Sequence, residues 1–338
     1  KHPMREHISP LPSVEEIADR YPADTEAVQR NRMLMSAVLD GTDPRMLVLT
    51  GPCSASNPET IARLSEDLAR FQEEVRDKIV LGLRVYIQKP RTELGWPGSI
   101  NMPDPNGLPD LVKGTHQCAR MMSEASSQNP IADEMLFTHN NGHFSPYISY
   151  TALGARSAED GEHRHIASGE NMPIGIKNPR SGDIDDAVSG VVTVQNSHDH
   201  AHYGNWVRSS GNPNAHVILR GGKRGTNFGP DSIYEASKLL LKKEVQNPAI
   251  VVDASHDNSR SGNGKDPRLQ EFVLHSVALG KHLELEGYQH VRGLMLEHNM
   301  KEGNQKISSH MDPDVSITDP CISNENMKRM VREFAEKL

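Results

Sequence analysis

The stretch from Met46 to Ile87, MLVLTGPCSASNPETIARLSEDLARFQEEVRDKIVLGLRVYI, decides the fold. It opens on one apolar run, MLVLT, and ends on another, LGLRVYI. Between them Asn57-Pro58 has the form of a helix start. Asn accepts a bond from a free backbone N–H, and Pro stands in the first turn, where no donor is needed. Ile61, Leu64, Leu68, Phe71 and Val75 follow at three- and four-residue steps, which is one buried helical stripe. Strand, helix, strand is the unit of parallel-sheet folds.

Working outward, further strand candidates are Ile131 to Leu136, Thr151 to Ala155, Ile174 to Lys177, Val191 to Gln195, His216 to Leu219, Ala249 to Asp253 and Gly293 to Glu297. With the first two they make nine, one more than a closed barrel needs. Most are apolar at consecutive positions, as strands covered on both faces are. The segment Asn196 to Asn214 is polar and rich in His and Gly, so it reads as an excursion interrupting one barrel position. Upstream, Ser13 and Glu16 have capping-box spacing, and a longer helix is expected near Thr25 to Leu39. The expected architecture is α/β, a (β/α)8 TIM barrel over residues 45–338 with an N-terminal helical extension over 1–44.

Composition narrows the function classes. The chain has 338 residues and a formal net charge of -8, with no long basic run, so nucleic acid is not an expected partner. No apolar run reaches membrane-spanning length. The start, KHPMREHISP, lacks the apolar core of a secretory signal. Three cysteines, Cys53, Cys118 and Cys321, form no disulfide framework and fit a reducing compartment. A cytoplasmic location is the expectation.

Four residues sit at or just beyond strand-like runs: Cys53 after MLVLTGP, His256 after IVVDAS, Glu297 in GLMLEH and Asp319 in SITD. A barrel gathers such residues at one rim. One thiolate, one imidazole and two carboxylates make a credible site for a divalent ion. Each residue alone is more often structural, and it is the shared position after a strand that raises the set above coincidence.

Cations repeat the pattern. KPRT puts Lys89, Arg91 and Thr92 at a strand exit; GARS adds Arg156, GIKN adds Lys177 and VILRGG adds Arg220. Solvated surface charge is the plain alternative. Cations directly after buried segments, however, would repel one another at one rim unless an anion joins them, and a phosphorylated, carboxylated substrate answers that need. GGKRG, Gly221 to Gly225, is not a Walker loop, and no G-x-G-x-x-G follows a strand. HDHAH can bind metal, but a mobile loop with a solvated face is the better reading.

The strings GPCS, YIQKPRT, GWPGSIN, GAR, HRHIASG, IGIKN, SGNPNAHVILRGG, DASHDNS, LMLEHNMKEGNQ and SITDPCI run in order over most of the chain. Together they closely resemble the type I 3-deoxy-D-arabino-heptulosonate 7-phosphate (DAHP) synthases. The resemblance implies a (β/α)8 barrel with Cys53, His256, Glu297 and Asp319 as metal ligands. It implies a phosphoenolpyruvate site at Lys89, Arg156, Lys177 and Arg220, with Glu134 facing substrate and Arg91 and Thr92 meeting the aldose phosphate. Lys89, His256 and Cys53 are the residues expected to serve catalysis. The implied enzyme is a 3-deoxy-7-phosphoheptulonate synthase, a transferase at the entry of the shikimate pathway to aromatic amino acids. It condenses phosphoenolpyruvate with erythrose 4-phosphate. Its cofactor would be a divalent ion, Mn2+ first, with Co2+, Fe2+ or Zn2+ as alternatives, and its assembly a homodimer or homotetramer.

The chain also departs from the family's usual strings. Gln88 precedes KPRT in place of Glu; DEMLF stands for GEFLD, so Glu134 is kept while Phe137 replaces an acid; GPCSASN carries Asn57 in place of Asp; GARSAED stands for GARTTES; and the usual KW pair after the sixth strand is absent, that region reading QNSHDHAHYGNW. These changes are expected near the rim. They open an alternative: a specialised-metabolism homologue that condenses phosphoenolpyruvate with a different phosphorylated aldehyde.

Overall fold

The first strand, β1 (Met46–Gly51), is buried along its whole length. Its residues alternate between two apolar clusters, Leu47 and Leu49 in one, Met46 and Val48 in the other. Successive strand side chains point to opposite faces, so two clusters mean two covered faces. The computed structural model, which describes residues 4–262 and 264–338, identifies them: one cluster fills a barrel and the other lies between the barrel and its helices.

Seven more parallel strands complete the barrel: β2 (Ile79–Arg84), β3 (Ile131–Glu134), β4 (Tyr150–Leu153), β5 (Ile174–Lys177), β6 (His216–Leu219), β7 (Ile250–Asp253) and β8 (Val291–Asn299). β1 pairs with β2 from Met46↔Ile79 to Thr50↔Leu83, and with β8 from Leu47↔Gly293 to Gly51↔Glu297, which closes the ring. This is the (β/α)8 TIM barrel the sequence leads one to expect. Two helices precede it, α1 (Val14–Arg20) and α2 (Thr25–Asp40). The Ser13 hydroxyl accepts from the Glu16 amide at 3.1 Å and caps α1. α2 presses Met35, Val38 and Leu39 into the cluster inside the barrel, closing the end where the strands begin. Among the described residues no helix is long and apolar enough to cross a membrane.

The outer helices follow the strands: α3 (Pro58–Val75), α4 (Leu111–Ser126), α5 (Gly161–Ala167), α6 (Ile184–Gln195), α7 (Pro230–Lys242), α8 (Leu269–His282) and α9 (Asn324–Glu336). Asn57 caps α3 by accepting from the Thr60 amide at 2.9 Å, and the whole predicted stripe from Ile61 to Val75 is buried. One expected strand is wrong. Val191 to Gln195 is the last turn and a half of α6, where Val188, Val191 and Val194 are buried at three-residue steps. A run of β-branched residues looks like a strand locally, but the helix is set by its earlier turns and by the Asp183 cap. The ninth strand therefore disappears. The excursion after it is a β-hairpin, Asp199–His202 against Asn205–Arg208, so all of HDHAH but His198 lies in a strand and not in a loop.

Period-two alternation explains where charge enters the barrel. Inward positions run Val80, Gly82, Arg84 on β2; Ala132, Glu134 on β3; Gly175, Lys177 on β5; Val251, Asp253 on β7; and Met295, Glu297 on β8. Each strand starts apolar or small and ends charged. The lumen is thus greasy at the floor and ionic at the top, where the strands exit.

Candidate active site

Tyr86, two residues past the end of β2, separates the two zones. It is buried, and its hydroxyl lies 3.9 Å from Met295 Sδ below. Its ring underlies three cations: the Arg84 guanidinium carbon at 4.0 Å, Lys177 Nζ at 5.7 Å and Lys89 Nζ at 5.8 Å. An aromatic face attracts cations most when water is excluded. Above this ring opens a cavity of about 680 Å³, lined by residues from nearly every strand exit.

One wall carries metal-type donors. Cys53, Glu297 and Asp319 each offer an atom within 4.8 Å of the others. Barrel register causes this, because Gly51 pairs with Glu297 and Cys53 follows two residues later. His256 Nε2 lies 3.5 Å from Glu297 Oε1, so its imidazole joins the same corner. The His256 backbone is held at φ 55°, a left-handed conformation rare outside Gly, with its N–H bonded to Ser255 Oγ at 2.6 Å. Its Nδ1 lies 2.8 Å from Asp253 Oδ2, a close contact without hydrogen-bond alignment. The thiol and two carboxylates at this spacing, with the imidazole beside Glu297, are donors of the kind one divalent ion of the borderline class takes.

The electrostatics match that chemistry. Burial pushes the Cys53 thiol up, and Glu297 adds to it, while Lys89 opposes. A thiolate here needs a cation beside it. Burial alone would raise Glu297, but His256 and Arg84 outweigh it and hold the carboxyl below its usual value. Arg84 is fully buried and donates to Glu297 Oε1 at 3.0 Å. Asp319 is likewise opposed by burial, yet Lys265 at its Oδ2 carries it down to about 2. Burial drives His256 well below the usual imidazole range, leaving a neutral ring able to offer a lone pair.

The other walls carry cations. Lys89 Nζ donates to the Cys53 carbonyl at 2.9 Å. Burial works against its charge, but Cys53, Glu297 and Glu134 overcome it, and the ammonium is stabilised. Lys177 is buried 3.8 Å from Asp253 Oδ2, and burial lowers it despite Glu134 and Asp253. Arg220 is tied to Asp257 at 2.8 Å. Arg156 donates to Thr92 Oγ1 at 3.1 Å. Glu134 lies so close over Gly154 that a Cβ there would strike its carboxylate, so the small residue in GAR makes room for the acid.

Ten of the eleven residues singled out from sequence line this one cavity: Cys53, Lys89, Arg91, Thr92, Glu134, Arg156, Lys177, Arg220, His256 and Asp319. Glu297 stands just behind the wall, reached through His256 and Arg84. Sequence reasoning missed Arg84, Tyr86, Asp253, Asp257 and Lys265, and the outer cations Arg180, Lys223 and Arg260. Arg84 was detectable as a guanidinium inside the apolar run LGLRVYI, and Asp253 as the acid ending IVVD. The departures neighbour residues of the cavity without lining it themselves. Gln88 and Phe137 border a small adjoining void that shares Glu134 with the cavity, and Asn57 caps α3. Neither they nor Ser157 to Asp160 line the cavity.

The sequence profile of the DAHP synthetase I family matches residues 20–332. A Tyr-sensitive phospho-2-dehydro-3-deoxyheptonate aldolase of Salmonella typhimurium is 33% identical over 325 residues, covering 94% of this chain and 89% of its own. The Tyr-sensitive protein of that name from Escherichia coli is 34% identical over 317 residues, covering 91% of this chain and 86% of its own. A solved phospho-2-dehydro-3-deoxyheptonate aldolase from Francisella tularensis superposes with a TM-score of 0.92 at 30% identity, covering 99% of this chain and 98% of that one.

Proposed function

The chain belongs to the DAHP synthetase I family, and from that premise we propose that it condenses phosphoenolpyruvate with erythrose 4-phosphate, releasing DAHP and inorganic phosphate. The observation that carries the reading is the meeting, in one cavity, of a soft-and-hard donor corner with a nest of cations. Electrophile activation and anion binding are the two things this condensation requires.

In this reading Lys177, Arg220 and Arg156 receive the carboxylate and phosphate of phosphoenolpyruvate. Lys177 is pinned by Asp253, and Arg220 by Asp257, so neither must be reorganised when substrate arrives. Cys53, His256, Glu297 and Asp319 hold the divalent ion. When bound, such an ion supplies Lewis-acid polarisation of the aldehyde carbonyl. Mn2+ is our first choice; Co2+, Fe2+ and Zn2+ suit the same donors. C3 of phosphoenolpyruvate forms the new bond to the aldehyde carbon, and that carbonyl oxygen becomes an alkoxide. Lys89, kept cationic by its acidic neighbours, donates the proton or steadies the charge. Water adds at C2, and the C2–O bond to phosphate breaks, giving the keto product and inorganic phosphate. Arg91 and Thr92 meet the phosphate of the aldose. Because the departures from the family strings fall outside the cavity lining, erythrose 4-phosphate is the favoured acceptor over a different phosphorylated aldehyde. We place the enzyme in the cytoplasm, as a homodimer or homotetramer.

A phosphate-release assay with Mn2+, phosphoenolpyruvate and a panel of aldose phosphates tests this. Release that requires both substrates and is fastest with erythrose 4-phosphate is the expected result. Faster turnover of another aldose phosphate moves the chain to specialised metabolism, and no release with any aldehyde overturns the reading.

A further inference from the structure

The cations around the cavity fall into two groups. Lys89, Lys177 and Arg220 lie inside, each tethered to a carbonyl or a carboxylate. Arg91, Arg156, Arg180 and Lys223 stand exposed at the mouth, and among the described residues none has a carboxylate within 4.0 Å. Their neighbours do: Arg224 pairs with Asp183 at 3.1 Å and Arg260 with Asp257 at 2.6 Å. The mouth therefore presents four uncompensated positive groups, one from the loop after each of β2, β4, β5 and β6, with Glu93 the acid nearest in sequence. Arg156 feels them. Its guanidinium is destabilised first by burial and then by Arg180, Arg220 and Arg91, against one opposing acid, Glu134.

Two of the four are fixed together. The loops after β5 and β6 are clasped backbone to backbone: Lys223 N–H donates to the Arg180 carbonyl at 2.8 Å, and Arg224 N–H to the Ser181 carbonyl at 3.2 Å. The clasp demands glycine on both sides. A Cβ on Gly222 would strike the Gly182 backbone, and Gly182 itself has φ 92°. Arg180 and Lys223 are thus held as one cationic edge, lining the same cavity as the KPRT loop.

Resting on the proposed condensation, we infer that Arg180, backed by Lys223, is a specificity-determining residue that receives the anionic group of the acceptor at the end remote from its carbonyl. Arg91 and Thr92 then grip that group from one side and Arg180 from the other. An acceptor lacking a terminal phosphate leaves this edge unsatisfied, while the inner cations already serve phosphoenolpyruvate.

Steady-state kinetics of Arg180→Gln and Arg180→Glu test the assignment. KM for erythrose 4-phosphate rises about tenfold in R180Q and further in R180E, as expected for loss of a charge-assisted contact. KM for phosphoenolpyruvate shifts by less than about twofold, and Arg180→Lys recovers much of the loss. The preference for erythrose 4-phosphate over unphosphorylated erythrose shrinks in R180E. A second readout needs no turnover. With phosphoenolpyruvate saturating the inner cations, added inorganic phosphate raises the melting temperature of the wild type and not of R180E. Equal phosphate shifts in the two proteins, or a defect that falls on phosphoenolpyruvate instead, overturns the assignment. Wild-type protein inert toward erythrose 4-phosphate, yet showing the Arg180-dependent phosphate shift, defeats the proposed reaction and leaves the anion edge standing.

Discussion

Glu297→Gln separates the structural role of the donor corner from its metal role. The Arg84–Glu297 pair spans 3.0 Å, and both side chains are at or below 1% exposure. The amide of Gln keeps the shape and one acceptor but removes the charge that balances a buried guanidinium. Breaking a buried pair costs about 3–5 kcal/mol. The retained acceptor and the Tyr86 face under Arg84 favour the lower end. Unfolding entropy of about 2.1 cal/mol/K per residue gives about 0.7 kcal/mol/K for a chain of 338 residues. A loss of about 3 kcal/mol then lowers the melting temperature by about 4 °C. The measurement is made in chelator, so that metal contributes nothing. Adding Mn2+ at 100 times its Kd then raises wild-type stability by about 2.7 kcal/mol, again about 4 °C, because only the folded state holds the ion. The variant gains much less. The pH dependence has a defined sign. Glu297 is held below its ordinary value in the fold, so its contribution is present above the unfolded carboxyl value and fades as pH falls through the folded one. An apo E297Q protein that melts with the wild type would refute the pairing argument. An unchanged Mn2+ response in the variant would refute the ligand assignment.

Three other perturbations follow from the same geometry. Lys177→Met removes a buried ammonium aimed at the cavity and should raise KM for phosphoenolpyruvate by about ten- to a hundredfold, the size of a hydrogen bond to a charged group; steady-state kinetics at saturating aldose phosphate report it. His216 is buried and neutral: its Nδ1 faces the Asn214 carbonyl at 2.8 Å and its Nε2 the Tyr150 hydroxyl at 2.6 Å, and burial lowers it to about 4. Its contribution, at most about 3.5 kcal/mol at about 1.4 kcal/mol per pH unit, is present above pH ~6.5 and is lost as pH falls toward 4, so His216→Asn should flatten the acid limb of a urea-stability profile over that range. Gly175→Ala puts a methyl into the Tyr150 hydroxyl and Ile218 inside the lumen and should cost about 1–3 kcal/mol in the same urea assay, whereas an alanine at half-buried Gly229, whose added methyl meets nothing within 4 Å, should cost little.

The barrel is legible in sequence because its strands are buried on both faces and therefore read as short apolar runs, while helices such as α3 keep an amphipathic stripe. That signal fails where a helix is itself buried and rich in β-branched residues, as α6 is. Site residues at strand exits are legible for a related reason: a polar residue right after an apolar run stands out, which is how Lys89, Lys177, Arg220 and Glu297 come to notice. Arg84 escapes because it lies within the run, and its function depends on which face it occupies. Strand parity settles that, but only once the register of β2 against β1 is known. Asp257 and Lys265 escape because they act through irregular segments, a 3₁₀ turn and a two-residue hairpin strand, whose path no periodicity encodes. The family strings show where the chain departs from its relatives, but not that Gln88 and Phe137 line a neighbouring void and not the cavity itself.

The placement of charge explains how an acidic protein can collect two anionic substrates. The chain carries a formal net charge of -8, which repels phosphates at long range. Within the upper barrel the buried cations Arg84, Lys177 and Arg220 face the buried acids Glu134, Asp253, Asp257 and Glu297. Burying three cations without those acids would cost several kcal/mol for each ion. The inner layer can thus be built before any ligand arrives, and its charges orient one another without a large net field. The imbalance is confined to the mouth, where Arg91, Arg156, Arg180 and Lys223 are exposed and water makes bare charge tolerable. Low-dielectric walls below focus that positive field outward into the solvent. Capture at the rim should therefore weaken steeply with added salt, while the inner contacts, shielded from ions, should not. Stopped-flow binding of phosphoenolpyruvate across ionic strength separates the two: the association rate should fall by about tenfold or more between low and physiological salt, with the dissociation rate nearly constant. A salt effect that falls on dissociation instead would place the attracting charge inside the barrel and not at its mouth.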